Sequence, residues 1–115
     1  MKKIYILSAL LLPLVFQFCS SSKKSKTAME PPKVTYMANV QPTIVANCSP
    51  CHFPPKGSKK ALNNYDSVRL NIDEMITRIE RQPGEKGFMP FKHSRLADST
   101  IMVFVNWKKD GLLEK

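Results

Sequence analysis

The sequence predicts a small all-α protein, and three observations support this prediction. The chain has 115 residues, which is enough for one domain. Its apolar residues recur at helical spacing in three stretches, and the β-prone run at 102–105 lies inside one of them. Only four glycines and nine prolines are present, so the chain is not of low complexity throughout. This length excludes a dinucleotide-binding α/β enzyme and an α/β barrel.

The N-terminal segment has the pattern of an export signal rather than of a folded element. Lys2 and Lys3 precede an apolar run that extends over residues 4–18. This run is shorter than the roughly 20 residues that a membrane-spanning helix needs, and a Ser/Lys-rich stretch follows it. We therefore expect residues 1–18 to be a signal peptide. The remainder of the chain is then exported from the cytoplasm.

The junction at Cys19 resembles a bacterial lipoprotein signal, in which the cysteine is lipid-modified and becomes the new N-terminus. The resemblance implies a membrane anchor through lipid on Cys19 and a place on the periplasmic side of a bacterial membrane. The absence of Asp after Cys19 favours the outer membrane. Gln17 and Phe18 depart from the small residues usual before that cysteine. The alternative is an uncleaved membrane anchor with an unmodified Cys19.

Residues 19–33 predict a flexible tether, because they lack hydrophobic periodicity and include Pro31-Pro32. Much of the formal charge of +9 lies in these residues and in the signal. From Val34 onward the chain has twelve Lys/Arg and eight Asp/Glu, so the folded part, 34–115, carries only about +4. It also lacks a basic stripe interleaved with aromatic residues, and we expect no nucleic-acid binding.

The first two predicted helices follow the tether. The first covers about 39–47, with Asn39 as its N-cap and Pro42 in its first turn, where the missing N–H costs little. The second covers about 65–81 and ends before Pro83-Gly84, a strong terminator.

A break of the second helix near Asn71 is an alternative to one continuous helix. The third begins at Ala97 or Asp98, ends at Lys109 and is closed by Gly111. Three short helices give a small hydrophobic core for about 80 residues. A domain of this size often needs an additional stabilising element, such as a disulfide or a bound metal. The apolar residues expected in the core are Val40, Ile44, Val68, Ile72, Met75, Ile76, Ile79, Ile101, Met102, Phe104, Val105 and Trp107.

Residues 48–52 predict what this stabilising element is. They form the motif C-x-x-C-H, the signature of c-type haem attachment. Cys48 and Cys51 lie about one helical turn apart and can add to the two vinyl groups on one edge of a haem, and His52 can ligate the iron. A redox C-x-x-C would need a preceding strand and a larger α/β context. A zinc site would need four ligands, and beyond this motif the folded part has no further cysteine and only one histidine, His93. A disulfide between the two cysteines would close a small, strained ring.

Around this motif the chain resembles small bacterial class I cytochrome c domains. Residues 40–47 match the V-Q-P-x-x-x-x-N pattern that leads into C-x-x-C-H, and 87–90 match the Met-Pro loop of the distal ligand. Residues 96–111 match the closing helix, except that Lys108 stands where the family usually has an aliphatic residue. The resemblance covers about 34–113. It implies a cytochrome c-like fold, three main helices around a covalently bound haem.

The same resemblance implies the ligands of haem c. Cys48 and Cys51 form the thioethers, and His52 and Met89 are the axial ligands of the haem iron. A soft thioether ligand raises the reduction potential, which suits an electron carrier. His93 is the rival distal ligand, and a core position is the alternative role for Met89.

Weaker candidates surround this site. Pro54 or Pro55 could offer a backbone carbonyl to the second nitrogen of His52, or only shape the loop. Candidates for contacts to the haem edge or propionates are Tyr65, Arg69, Arg78 and Trp107, and the alternative is that they are surface residues and one core tryptophan. The basic residues that could steer an acidic redox partner, or could simply be solvated, are Lys56, Lys59, Lys60, Lys86, Lys92 and Arg95.

The sequence thus predicts a monohaem c-type cytochrome that exchanges electrons with a redox partner protein and is not an enzyme. It contains no evident nucleophile–base pair, carboxylate dyad or phosphate loop. Two alternatives stay open. One is a haem-binding sensor or enzyme-subunit domain with an open distal site, and the other is a lipoprotein interaction module without haem.

Overall fold

Helices are the only regular secondary structure in residues 31–115, the part of the chain that the computed structural model describes. This range contains no strand, so the all-α prediction is confirmed at the level of fold class. The predicted signal peptide, 1–18, Cys19 and most of the predicted tether lie outside the described residues. Of the helices within this range, none is long and apolar enough to cross a membrane.

The first helical region begins earlier than predicted, because a π-helical turn, Tyr36–Val40, precedes α1, Gln41–Cys48. The Val40 amide donates to the Thr35 carbonyl five residues back, at 3.2 Å. Thr35 is therefore the N-cap, and the prediction of Asn39 in that role was wrong. The Asn39 side chain instead accepts the Thr35 amide at 3.0 Å from within the π-helical turn.

The second helix, α2, runs over Tyr65–Glu80 without a break. Asn64 caps it, because its side-chain oxygen accepts the Ser67 amide at 2.9 Å. The Asn71 amide group donates to the Ser67 carbonyl at 2.6 Å, one turn back, so this polar side chain is satisfied without interrupting the helix.

The third helix, α3, covers Asp98–Lys109 and ends in a Schellman motif at Gly111. The Gly111 amide donates to the Lys108 carbonyl at 3.2 Å, and the Leu112 amide donates to the Trp107 carbonyl at 2.9 Å. Gly111 has φ of +93°, in the region that glycine adopts without strain. The predicted bounds of this helix are confirmed.

The core forms where α2 and the first helical region pack against α3. Trp107 lies at its centre with no exposed surface, and its ring centroid is 5.9 Å from that of Tyr36 and 6.1 Å from that of Tyr65. The Trp107 Nε1–H donates to the Leu113 carbonyl at 2.8 Å. Leu113 also accepts the Tyr36 amide at 2.8 Å, so the start and the end of residues 31–115 are joined beside the tryptophan.

Most predicted core positions are buried, but Met102 is not. It is 45% exposed, whereas Ile101, Phe104 and Trp107 are buried. The buried residues of α3 recur every three positions, and Met102 points away from the face that they share. Its assignment as core filling was therefore wrong. The apolar residues buried in the described part of the chain are Tyr36, Val40, Ile44, Leu62, Val68, Ile72, Met75, Ile79, Phe88, Ile101, Phe104 and Trp107.

Candidate functional site

A cavity of about 510 Å³ lies between the end of α1, the middle of α2 and the loops that follow these helices. Cys48, Cys51, His52 and Met89 all line it, although 37 positions separate His52 from Met89. The volume is in the range of small-molecule and cofactor sites, roughly 300–1,000 Å³. The residues that the sequence assigns to one site therefore border one space.

The inner wall of this cavity is apolar and belongs to the core. Helix α2 contributes Met75 and Ile79, and α3 contributes Phe104. Leu62 and Leu96 complete the wall from the two loops. These side chains would exclude water from a large planar ligand that lay against them, so the cavity suits an apolar cofactor.

The two cysteines of the motif differ in burial. Cys48 is the last residue of α1 and half-buried, whereas Cys51 is exposed in the following turn. Burial raises the pKa of the Cys48 thiol to about 11. Redox-active C-x-x-C motifs do the opposite and lower the pKa of a thiol. No disulfide joins the two sulfurs within residues 31–115, so both are available for another bond.

His52 is oriented by a backbone carbonyl. Its Nδ1 lies 2.6 Å from the carbonyl oxygen of Lys60. Because a carbonyl only accepts, Nδ1 carries the proton, and Nε2 keeps the lone pair that a metal would take. The carbonyl that binds the second nitrogen of His52 therefore belongs to Lys60, and not to Pro54 or Pro55, the candidates named from the sequence.

The loop after the motif turns back on itself, and this brings Lys60 to His52. The Lys59 amide donates to the Cys51 carbonyl at 3.2 Å, and the Leu62 amide donates to the His52 carbonyl at 2.9 Å. Such pairing between distant parts of a loop has no local sequence signal, which is why the sequence did not indicate Lys60.

Gly57 makes this return possible. A Cβ at Gly57 would overlap the backbone carbonyls of Pro50 and Cys51, so a residue with a side chain does not fit without moving the motif. Gly57 was not among the residues predicted from the sequence to matter for the site. Its one available signal was a glycine five residues after C-x-x-C-H in a chain with four glycines.

A second loop lines the cavity and is held against α2. Met89 is half-buried, and its amide donates to the Arg78 carbonyl at 3.2 Å. Phe88 is buried beside it, and Gly87 has φ of +86° in the turn before it. His93 also lines the cavity and is exposed. Both sequence candidates for the distal ligand thus border the same space.

One of the four candidates for haem-edge contacts lines the cavity. Of the four candidates, Arg78 lines the cavity, whereas Tyr65, Arg69 and Trp107 do not. Tyr65 instead donates its hydroxyl to the Leu112 carbonyl at 2.8 Å, beside the tryptophan. For Tyr65, Arg69 and Trp107 the structure thus favours the alternative of a surface or core position.

Lys59 and Lys60 are the members of the predicted basic ring that line this cavity. The Lys60 ammonium lies 2.8 Å from the Glu74 carboxylate, and the Arg78 guanidinium lies 2.7 Å from it. Hydrogen bonds from Lys60 and Arg78 lower the pKa of Glu74 to about 2. Much of the positive charge at this rim is thus paired.

Within residues 31–115, no group of three or more His, Cys, Asp or Glu side chains is arranged to hold a metal ion. No protein-family model, curated protein or solved structure matches the chain. The donor set that borders the cavity nevertheless fits a haem: two thiols without a disulfide, an imidazole whose Nδ1 is bonded to a carbonyl, a thioether, and an apolar inner wall.

Proposed function

We propose that this protein is a monohaem c-type cytochrome that carries single electrons between partner proteins. The observation that supports this most strongly is the C-x-x-C-H motif placed on the edge of an apolar cavity that Met89 also borders. A haem held there supplies the one-electron chemistry of its iron. The chain supplies attachment, orientation and exclusion of water.

Each residue of the site has a separate task in this proposal. Cys48 and Cys51 hold the cofactor through thioether bonds. His52 presents Nε2, because the Lys60 carbonyl occupies Nδ1–H. Met89 borders the same cavity, where the Arg78 carbonyl accepts its backbone amide. Two iron ligands that the protein holds in place would need little rearrangement on oxidation or reduction, which favours electron transfer over substrate chemistry.

The setting of this domain is part of the same proposal. Lipid on Cys19 would anchor the chain to the periplasmic side of a bacterial membrane, with the outer membrane favoured. The tether would let the domain reorient near that surface. The redox partner would present an acidic face to the lysines near the cavity, of which Lys59 lines the rim and forms no ion pair within the described residues.

Haem staining after denaturing electrophoresis tests the attachment, because only covalently bound haem survives the gel. The wild-type protein and the Cys48→Ala/Cys51→Ala variant are expressed with the bacterial machinery for c-type haem attachment. We expect a stained wild-type band and an unstained band for the double variant. A His93→Ala variant is the control and should stain like the wild type. An unstained wild-type band would refute the proposed function.

The near-infrared band of methionine-ligated ferric haem tests the distal ligand. Met89→Ala should abolish this band, and His93→Ala should leave it. If the wild type lacks the band and readily binds added imidazole, the site is open and the sensor or enzyme-subunit alternative is favoured. If His93→Ala alone changes the spectrum, His93 is the ligand.

A further inference from the structure

Glu74 binds side chains from two different parts of the cavity. It lies in the middle of α2 and carries no ligand role in the proposed site. One carboxylate oxygen, Oε2, accepts from the Lys60 Nζ at 2.8 Å. The other, Oε1, accepts from Arg78 Nη2 at 2.7 Å and Nε at 3.0 Å. Each oxygen of one carboxylate thus serves a different neighbour.

Lys60 connects Glu74 to His52 through two hydrogen bonds. Its side chain binds Glu74 and also donates to Asn71 Oδ1 at 2.9 Å, so α2 holds it at two points. Its backbone carbonyl accepts the His52 Nδ1–H at 2.6 Å. A displacement of Lys60 would therefore change the hydrogen bond that orients the His52 ring.

Arg78 connects Glu74 to the loop that carries Met89. Its carbonyl accepts the Met89 amide at 3.2 Å, and its Nη1 donates to the Gly87 carbonyl at 3.4 Å. Glu74 and Arg78 are four residues apart on α2, so the pair forms on one face of the helix. Arg78 thus binds both Glu74 and the loop that carries Met89.

These contacts contribute little to global stability. The side chains of Lys60, Glu74 and Arg78 are 55%, 46% and 38% exposed, and exposed ion pairs are weak because water screens them. What distinguishes this network is its position. It joins two loops, 51–62 and 87–93, that both line the cavity and are far apart in the chain.

We propose that Glu74 is a positioning residue for the haem site, whose carboxylate holds Lys60 and Arg78 and so keeps His52 and the Met89 loop in place at the cavity. This inference rests on the proposed function. Without the carboxylate, the motif still attaches the haem, but the distal loop opens more often and Met89 leaves its place more easily.

Glu74→Gln removes the charge at constant size, and Asp73→Asn is the matched control. Asp73 is the adjacent acidic residue of α2, is exposed, and pairs with Lys108 at 2.7 Å without lining the cavity. Three quantities are measured on the full-length protein: haem bound per chain, the rate at which added imidazole displaces the distal ligand, and hydrogen exchange at the Met89 and Leu62 amides.

In Glu74→Gln we expect unchanged haem content, imidazole displacement faster by about threefold to tenfold, and faster exchange at both amides. The reduction potential should fall, because a weaker methionine bond favours the ferric state. Asp73→Asn should match the wild type within about twofold in every measurement.

Two results separate this inference from the proposed function. If Glu74→Gln carries haem and matches the wild type in displacement and in exchange, the positioning role is refuted and the cytochrome proposal stands. If the wild type carries no haem, the cytochrome proposal and with it the haem-positioning role are refuted. Exchange at the two amides then still shows whether Glu74 holds the loops.

Discussion

Replacing Trp107 tests whether this residue belongs to the core or to the cofactor site. The sequence allowed a contact with the haem edge, but the structure places the indole between Tyr36 and Tyr65, fully buried and away from the cavity. Trp107→Phe should therefore lower the free energy of unfolding without changing the optical spectrum of the proposed haem.

The expected size of this loss follows from the contacts of the indole. The Nε1–H bond to the Leu113 carbonyl is lost, but that carbonyl keeps the Tyr36 amide at 2.8 Å. No buried acceptor is then left without a partner, so this loss costs only about 1 kcal/mol. The smaller ring adds a packing loss of about 1 kcal/mol, giving roughly 2 kcal/mol in total. Trp107→Ala also removes the aromatic contacts and should cost about 3–5 kcal/mol.

Equilibrium denaturation followed by far-ultraviolet circular dichroism measures these differences. Leu70→Ala is the control, because Leu70 is 76% exposed and its truncation should stay within about 0.5 kcal/mol of the wild type. A Trp107→Phe protein as stable as the wild type would refute the core role. A change in its optical spectrum with unchanged stability would instead place the indole at the cofactor.

Three further predictions concern other parts of the molecule. Gly57→Ala should reduce haem attachment and lower the free energy of unfolding by more than about 1 kcal/mol, because the added methyl group overlaps the backbone carbonyls of Pro50 and Cys51. The haem content per chain and equilibrium denaturation measure these two effects. A variant that is fully loaded with haem and as stable as the wild type would contradict the prediction. The low pKa of Glu74, about 2 against an ordinary 4.5, means that its contribution to stability is present above about pH 4.5 and is lost as the pH falls through about 2. Because these ion pairs are exposed, wild type and Glu74→Gln should differ only slightly in denaturation midpoint near neutral pH and should converge in acid, and a difference that stays constant with pH would contradict this reasoning. Met102→Lys should change stability by less than about 0.5 kcal/mol in the same denaturation assay, and a loss of several times that size would show that Met102 packs in the core.

Helix positions were predictable because their signals are local. The third helix, 98–109, ends where Gly111 supplies the left-handed residue of a Schellman motif, and that glycine is visible in the sequence. The second begins at Tyr65, directly after the Asn64 cap. The four residues predicted to form one site also border one cavity. They were predictable because C-x-x-C-H and Met-Pro are short local patterns that are typical of one kind of site.

The features that were missed depend on contacts between distant residues. The π-helical turn at 36–40 packs Tyr36 against Trp107 and bonds its amide to Leu113, 77 positions later. The Lys60 carbonyl reaches His52 only after the loop has turned back over Gly57. Neither arrangement has a spacing or a composition that could be recognised before the chain is folded.

The decisive experiment for covalent haem is mass spectrometry of the purified protein, with mapping of the peptide that contains residues 48–52. We expect this peptide, which contains Cys48, Cys51 and His52, to carry the added mass of one haem. The same peptide from the Cys48→Ala/Cys51→Ala protein, prepared in the same way, should lack that mass. A wild-type peptide at its unmodified mass, or one with a disulfide between the two cysteines, would refute the proposed haem attachment.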